Sequence, residues 1–212
     1  MNFTHSSYSE SGPDHKKRLP LPRLGVLGSG KGSNFSAILE AVSEKKLAAE
    51  IVFVASDHAN AGILKKASAA GLPTYVIEET KFKTRLSENV ERKLVEQMQN
   101  AGVEVLVLAG YMRVIKAPTL EAFAGKIINI HPSLLPKFRG LEAWRQALEA
   151  GENEAGCTVH LVDEGIDTGR ILAQARVPVL PDDTAESLHA RIQVQEHRLY
   201  PETLRQFLQN LS

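Results

Sequence analysis

The architecture of this 212-residue chain is indicated first by the segment Leu24-Gly25-Val26-Leu27-Gly28-Ser29-Gly30-Lys31-Gly32-Ser33-Asn34. Its apolar start, residues 24–28, predicts a buried β-strand. After the glycine-rich turn, apolar residues recur at the spacing of a helix: Phe35, Ile38, Leu39 and Val42. Glycines let a backbone approach an anion closely, and the first turn of a helix offers free N–H groups and a partial positive charge. The segment therefore predicts a strand, a phosphate-binding turn and a helix.

Short apolar runs and helical patterns alternate through the rest of the first half of the chain. The further runs that predict strands are residues 51–56, 74–77 and 103–109. Strands that are joined by helices in this way form parallel pairs. We therefore expect a doubly wound α/β fold, with a mainly parallel sheet and helices on both of its faces.

The pattern changes after the extended segment 126–131. A helix predicted at residues 141–150 is followed by two predicted strands, 157–162 and 171–179, which an Asp- and Gly-rich turn joins. So short a connection predicts an antiparallel strand pair in the C-terminal part of the sheet. Thr184 then opens the last helix, expected to run to about Leu208, with a capping box in which Ser187 replaces the usual Glu.

Composition limits the class of protein. With 43% hydrophobic residues the chain can bury one substantial core, so we expect a single domain, residues 23–212. Residues 1–22 are mostly polar and show no periodicity, so we expect them to form a flexible N-terminal tail. Lys and Arg together number 25, as do Asp and Glu. A formal net charge of zero argues against nucleic-acid partners and favours small molecules. No apolar run approaches the ~18 residues of a membrane span, so we expect no membrane partner.

Cysteine and histidine usage gives two further expectations. Cys157 is the only cysteine, which excludes an intrachain disulfide and fits a reducing compartment, so we expect a cytoplasmic protein. Because Cys157 lies in an apolar run, we interpret it as a small packed strand residue rather than a nucleophile. The histidines are scattered without Cys/His ligand spacing, so we expect no metal site.

Two well-known nucleotide motifs compete for the glycine-rich turn. Gly25 to Lys31 fits the Walker spacing, but Gly32 stands where Ser or Thr should bind magnesium, which argues against an NTPase. The dinucleotide fingerprint fails at Ser33, although Asp57 at the end of the second strand can still act as a ribose-binding acid. A nucleotide-cofactor site and a plain structural turn therefore stand beside the phosphate site as alternatives.

The polar groups of an acyl-transfer site occur in two further motifs, Asn129-Ile130-His131-Pro132-Ser133-Leu134-Leu135-Pro136 and Asp163-Glu164-Gly165-Ile166-Asp167-Thr168-Gly169. Side chains alternate in an extended segment, so Asn129 and His131 share one face, and Pro132 favours an extended backbone at His131. An imidazole, a carboxamide and the Asp167 carboxylate are the groups that acyl transfer needs. A satisfied strand-end histidine is the alternative for His131 alone, but the three groups together favour an enzyme.

Over residues 23–212 the chain resembles the phosphoribosylglycinamide formyltransferase family, because five motifs occur in the family's order. They are Gly-Ser-Gly-Lys-Gly-Ser-Asn at 28–34, Ala-Gly-Tyr-Met-Arg at 109–113, Asn-Ile-His-Pro-Ser-Leu-Leu-Pro-Lys at 129–137, Asp-Glu-Gly-Ile-Asp-Thr-Gly at 163–169 and Gln-Glu-His at 195–197. Members of this family of purine biosynthesis move a formyl group from 10-formyltetrahydrofolate to the amine of glycinamide ribonucleotide. The resemblance implies these two small-molecule substrates, and we expect a monomer or a homodimer.

The resemblance also implies roles for individual residues. His131 is the implied proton shuttle and general acid, Asn129 the donor to the developing oxyanion, and Asp167 the carboxylate that interacts with His131 and organises water. We expect Asp167 to favour the imidazolium form of His131. The implied substrate contacts are Gly32, Ser33 and Asn34 at the phosphate and Gln193 and Glu196 at the ribose. The implied folate contacts are Asn129, Arg85 near the glutamate tail, Met112, Arg113, Val114 and Ile115 at the pterin, and the loop Asp163, Glu164, Gly165, Ile166 and Asp167.

Bland alternatives stand beside several of these roles. Gln193 and Glu196 also fit the solvated face of a helix, and Met112 with its apolar neighbours also fits core filling. His160, on the strand that leads to the Asp turn, either donates a hydrogen bond near the site or simply packs. Two other functions stay open: hydrolysis of formyltetrahydrofolate, in which water replaces the amine, and a catalytically silent nucleotide-binding module.

The chain departs from many relatives of the family near the implied site, at Arg139, Glu142, Trp144 and Arg170. Arg170 adds a cation beside the Asp167 turn. We expect its side chain to face water, because long cationic side chains are rarely buried without a partner.

Overall fold

A seven-stranded sheet organises residues 20–211, the part of the chain that the computed structural model describes. The strands lie in the order β3-β2-β1-β4-β5-β6-β7. Their bounds are β1 Arg23–Leu27, β2 Glu50–Ser56, β3 Thr74–Val76, β4 Val105–Leu108, β5 Ile127–His131, β6 Glu154–Leu161 and β7 Ile171–Pro178. Residues 1–19 of the expected N-terminal tail lie outside the described residues.

The direction of the strands changes at β5. Strands β1 to β5 pair in parallel, whereas β5 with β6 and β6 with β7 are antiparallel. The helices are α1 Ser33–Ser43, α2 Gly62–Ala69, α3 Glu88–Asn100, α4 Ala117–Ala122, α5 Ala143–Glu149 and α6 Ala185–Gln209. The predicted doubly wound α/β fold with an antiparallel C-terminal strand pair is confirmed.

Two differences from the sequence prediction have local causes. Strand β6 begins at Glu154, three residues before the predicted start, because Glu154 to Gly156 pair with the end of β7 although they are not an apolar run. Helix α4 is not indicated by sequence periodicity, since its six residues are too few for the spacing to repeat.

Alternating side chains in the strands build two cores, one on each face of the sheet. In β4, Val105 and Val107 join the core under α1, α2, α5 and α6, whereas Leu106 and Leu108 join the core under α3 and α4. This is the period of two expected of a strand that is buried on both faces. Cys157 packs fully buried in the first core, where burial raises the pKa of its thiol to about 12. Its predicted role as a packed strand residue is confirmed, because a thiol with so high a pKa is a poor nucleophile.

Helix α6 is fixed at its start and again in its second half. Thr184 and Ser187 exchange hydrogen bonds between side chain and backbone, so the capping box forms although Ser replaces Glu. The fully buried hydroxyl of Tyr200 lies 3.0 Å from the carbonyl oxygen of Leu108 and 2.8 Å from that of Ile128. Tyr200 thereby links α6 to two adjacent strands, β4 and β5. Among the described residues, no helix is both long and apolar enough to cross a membrane.

We expect the substitution Tyr200→Phe to lower the free energy of unfolding by about 1–3 kcal/mol, because two buried carbonyl groups lose their shared donor. Urea denaturation of both proteins measures the difference. Tyr75→Phe is the matched control, since the Tyr75 ring is half-buried and stacks on Phe53 at a centroid distance of 4.2 Å. Equal losses in the two variants would show that the Tyr200 hydroxyl does not tie α6 to the sheet.

Candidate active site

The candidate site lies where the sheet order reverses. The chain runs outward from β1 to β2 and β3 on one side, then returns to β4 and β5 on the other. In open α/β sheets, the crevice at such a switch point, outside the carboxyl ends of the strands, is the usual ligand site. The turn after β1 and the segment after β4 meet there, because Ser29 Oγ accepts a hydrogen bond from the Met112 N–H at 2.9 Å.

The predicted phosphate turn ends in a backbone conformation that requires glycine. Gly32 has φ 71° and immediately precedes α1, and a Cβ at this position would lie 2.8 Å from the Cα of Ile63. The Lys66 ammonium donates to the Gly32 carbonyl at 3.1 Å, so α2 supports the turn from behind. Gly32 has no side chain that could cap α1, so the N–H groups of the first turn are left for an anion, as the predicted phosphate site needs.

Asn34 and Glu196, two predicted ribonucleotide contacts, meet directly. Asn34 Nδ2 donates to Glu196 Oε2 at 2.9 Å, and the two residues are 8% and 4% exposed. Burial raises the pKa of Glu196, and the hydrogen bond from Asn34 opposes that rise. The Oδ1 atom of Asn34 is buried and has no hydrogen-bond partner among the described residues. The solvated-face alternative is therefore wrong for Glu196, whereas Gln193, one turn earlier on the same face of α6, is half-buried.

Four polar side chains gather around the end of β5. The β5–β6 register places Asn129 opposite His160, and Asn129 Nδ2 lies 3.2 Å from His160 Nε2. His131 Nδ1 lies 3.3 Å from Asp167 Oδ2, and His160 Nε2 lies 3.5 Å from Asp167 Oδ1. The structure therefore brings together the three predicted catalytic residues and His160, which is 2% exposed and belongs to the polar network rather than merely packing.

Asp167 reaches His131 because the turn after β6 folds back along β5. The turn starts beside the first residue of β5, where the Val162 N–H donates to the Ile127 carbonyl at 2.9 Å. Asp167 has a positive φ of 52°, and its Oδ2 also accepts the Gly140 N–H at 2.9 Å. Burial alone would raise the pKa of Asp167, but its contact with His160, the charge of His131 and the Gly140 N–H together lower it. Asp167 is therefore an ionised carboxylate at neutral pH.

Asp167 favours the imidazolium form of His131, as expected, but burial outweighs it and the net pKa in the free protein is lowered. Burial is the largest influence and lowers the pKa of His131, and it outweighs the attraction of Asp167 and the hydrogen bond to the Phe138 carbonyl. The ring is 5% exposed, with Nε2 at 2.8 Å from Phe138 O and Nδ1 facing Asp167. A neutral ring carries one proton and satisfies one of these two acceptors, whereas a protonated ring satisfies both. His131 is thus a neutral base with acceptors on both sides for the proton that it takes up.

The Arg113 guanidinium is bound by other residues of the protein. Its Nε lies 2.7 Å from Asp57 Oδ2, and the two side chains are 8% and 3% exposed. Its Nη1 donates to the carbonyl oxygens of Phe82 at 2.5 Å and Arg85 at 3.1 Å. Asp57 is therefore a structural partner of Arg113, which removes the ribose-binding acid that the dinucleotide alternative required.

The predicted folate residues around 85 and 112–115 are neighbours, joined by backbone pairing and by the hydrogen bond from Arg113 to the Arg85 carbonyl. Arg85 and Val114 form a parallel bridge, and Val114 N–H donates to Thr84 O at 2.9 Å. Met112 is 60% exposed and the Arg85 guanidinium lies 4.1 Å from the centroid of the Phe82 ring, so both face the outside, whereas Ile115 is buried in the core. Core filling therefore applies to Ile115 but not to Met112.

The last predicted folate element is the turn that carries Asp167. Asp163 Oδ1 accepts the Gly165 N–H at 3.1 Å and the Thr168 hydroxyl at 2.5 Å, which orders the turn internally. Glu164, Gly165 and Ile166 remain exposed on its outer side. Arg170 is exposed, as predicted, and the Asp167 carboxylate contacts the two histidines instead. Within residues 20–211, no group of three or more His, Cys, Asp or Glu side chains is placed to hold a metal ion.

Sequence reasoning missed the backbone partners of the site. The Phe138 carbonyl and the Gly140 N–H belong to a loop with positive φ values at both residues, 55° and 83°. Nothing in the residue types indicates which backbone groups face His131 and Asp167. Gly140 was the available signal, because glycine readily adopts a positive φ.

Comparison with known proteins agrees with this geometry. The formyl transferase family model matches residues 22–204. The chain is 40% identical over 188 residues to phosphoribosylglycinamide formyltransferase of Bacillus subtilis, covering 89% of this chain and 95% of that protein. A crystal structure of glycinamide ribonucleotide transformylase 1 from Symbiobacterium toebii superposes with a TM-score of 0.88 at 45% identity, covering 94% of this chain and 93% of that one.

Longer relatives contain the same unit. The chain is 49% identical over 187 residues to the trifunctional purine biosynthetic protein adenosine-3 of Drosophila pseudoobscura pseudoobscura. That alignment covers 87% of this chain and 14% of the relative, so the chain spans a small part of the trifunctional proteins that it matches.

We expect Asp167→Asn to lower the pKa of His131 below its value in the unsubstituted protein, because the carboxylate attraction that opposes burial is lost. NMR titration of the His131 ring protons measures the change. Glu164→Gln is the matched control, since it removes one negative charge from the exposed side of the same turn. A His131 pKa that stays constant or rises in Asp167→Asn would contradict the described electrostatic balance.

Proposed function

Because the chain belongs to the formyl transferase family, we propose that it is a phosphoribosylglycinamide formyltransferase of de novo purine biosynthesis. It transfers the formyl group of 10-formyltetrahydrofolate to the amine of N1-(5-phospho-D-ribosyl)glycinamide, which gives the N-formyl product and tetrahydrofolate. The observation that carries the proposal is the contact of His131 with Asp167, 3.3 Å, beside Asn129 and within the fold that holds the phosphate turn. The family resemblance inferred from the sequence is confirmed.

The reaction requires a general base, a hydrogen-bond donor to the oxyanion and a general acid. Attack of the amine on the formyl carbon forms a C–N bond and leaves an oxyanion and an ammonium. Asn129 is the proposed donor to the oxyanion, and contact of its amide with His160 fixes its orientation. His131, neutral in the free protein, accepts the ammonium proton and then delivers a proton to the leaving N10 of the folate as its bond to the formyl carbon breaks. Asp167 stabilises the intervening imidazolium.

Substrate recognition divides between the two sides of the crevice. Gly32, Ser33 and Asn34 are the proposed phosphate contacts, and Gln193 and Glu196 the proposed ribose contacts. On the folate side we propose Arg85, the 112–115 segment and the 163–167 turn. The Arg113 contribution is carried by its backbone, since its guanidinium is bound to Asp57.

The remaining expectations from the sequence become part of the proposal. We propose one catalytic domain over residues 23–212, preceded by the tail of residues 1–22, acting in the cytoplasm as a monomer or a homodimer. Its partners are the two small-molecule substrates, without a bound metal, nucleic acid or membrane. The formal net charge of zero supports small-molecule partners over nucleic acid.

We expect purified protein to consume 10-formyltetrahydrofolate only when glycinamide ribonucleotide is present, with one formylated ribonucleotide formed per tetrahydrofolate. Absorbance of the folate and mass spectrometry of the product measure the two sides of the reaction. Equal consumption without the ribonucleotide would identify a hydrolase instead. No consumption in either reaction would favour a silent nucleotide-binding module.

We expect His131→Ala to lower kcat by a factor on the order of 10²–10⁴, the usual contribution of a positioned acid–base group, while ribonucleotide binding stays largely intact. Steady-state kinetics and calorimetric titration with the ribonucleotide separate the two effects. His58→Ala is the control, because the His58 side chain is 64% exposed on the other half of the sheet. Near-normal turnover in His131→Ala would show that His131 is not the proton shuttle.

A further inference from the structure

An aromatic pair outside the site described above lies next to the phosphate turn. Trp144 of α5 and His189 of α6 stack with a ring-centroid distance of 3.7 Å and an interplanar angle of 2°. Both residues are half-buried. Trp144 is one of the positions at which the chain departs from many relatives of the family, and the proposed reaction uses neither ring.

The packing of α6 on α1 directs His189 toward the phosphate turn. The two helices run in the same direction, since Asn34 contacts Glu196 at one end and Glu44 shares a groove with Arg205 at the other. His189 lies seven residues before Glu196, about 10 Å along the helix axis, and so extends past the first turn of α1. Spacings of four and three residues place His189 on the same face of α6 as Gln193 and Glu196.

The charges around His189 leave it facing a cation. Lys31, in the phosphate turn, is close enough for its charge to act on the imidazole, and after burial it is the second cause of the lowered pKa of His189. The other nearby charges are engaged in ion pairs. Arg145 of α5 lies 3.3 Å from Glu142 and 3.9 Å from Glu186. Arg191 of α6 lies 2.7 Å from Asp183. An anion between Lys31 and the first turn of α1 would therefore meet His189 as well.

We propose that His189 is a further phosphate-recognition residue, which Trp144 holds by stacking so that its imidazole takes up a proton and contacts the phosphate when the ribonucleotide binds. The inference rests on the proposed function, since it takes a phosphate monoester as the ligand of the turn. His189 thereby adds a titratable side chain to the phosphate site, which otherwise consists of backbone N–H groups and the charge of Lys31.

The direction of the pH dependence follows from the environment of His189. Its pKa is lowered in the free protein, so the ring is neutral at pH 7, and a phosphate dianion beside it favours the protonated form. The contribution of His189 to the affinity for a phosphate monoester thus increases as the pH falls below 7. The second ionisation of the phosphate itself, near pH 6, acts in the opposite direction. Comparison with a variant that lacks the imidazole separates the two effects.

The chain supplies its own reporter, because Trp144 is its only tryptophan. A protonated imidazole quenches a stacked indole more strongly than a neutral one, so Trp144 fluorescence against pH follows the protonation of His189. We expect saturating ribose 5-phosphate to move the midpoint of this titration to higher pH. In His189→Phe, which keeps a stacking ring, we expect the titration to disappear. His58→Asn is the matched control and should titrate like the unsubstituted protein.

Kinetics provide the second measurement. At pH 6.5 we expect His189→Phe to raise the KM for glycinamide ribonucleotide about tenfold, with a smaller effect on kcat, because one charge-assisted hydrogen bond to the phosphate is lost. A fluorescence midpoint that ribose 5-phosphate leaves in place, or an unchanged KM in His189→Phe, would overturn the role of His189 while turnover continued. Absence of turnover in the unsubstituted protein would instead overturn the proposed function, and a midpoint shifted by ribose 5-phosphate would then still establish His189 as a phosphate contact.

Discussion

The antiparallel pairing of β6 with β5 is the interaction on which the site depends. Strand β5 is the last member of the parallel sheet, so its polar residues lie beside the crevice that the parallel strands create. Because β6 returns along β5, His160 falls directly opposite Asn129, and the turn that follows β6 starts next to the beginning of β5. Since β6 is antiparallel, this turn begins at the end of β5 that is far from His131, and it folds back along β5 to bring Asp167 to His131. The change of direction therefore assembles a carboxamide, two imidazoles and a carboxylate from two adjacent strands and one turn.

The protonation of His131 shows a competition between desolvation and attraction. A carboxylate at 3.3 Å favours the charged ring, but removing the ring from water disfavours it more strongly. The balance keeps His131 neutral and Asp167 ionised, which is the state required of a base that waits for an ammonium proton. Once that proton arrives, Asp167 and the Phe138 carbonyl become its acceptors. The same two groups thus contribute little to the resting charge of the ring and much to the intermediate.

Sequence reasoning recovered the features that depend on local pattern. The strand–turn–helix unit at residues 24–34, the change to antiparallel pairing after residue 131 and the shared face of Asn129 and His131 follow from periodicity and short motifs. The contact of His131 with Asp167 is what the family resemblance implied. It did not recover features that depend on distant partners. The Asp57–Arg113 ion pair joins residues 56 positions apart, and it binds a guanidinium that the sequence alone leaves free for the folate. The net effect of burial on His131 likewise requires knowing how closely the surrounding chain encloses the ring.

The edges of the sheet also matter where a unit of this fold is part of a longer polypeptide. The sheet ends at β3, which is only three residues long, and at β7, which carries the exposed Arg176 beside Glu154 and ends at Pro178. A short edge offers few free backbone groups, and charges and proline discourage another strand from adding to a long one. Homologous units share one polypeptide with other domains in the trifunctional relatives, at a local concentration that no dilution can lower. The edges of this chain's sheet, built in this way, offer a strand of a neighbouring domain few backbone groups to which it could add.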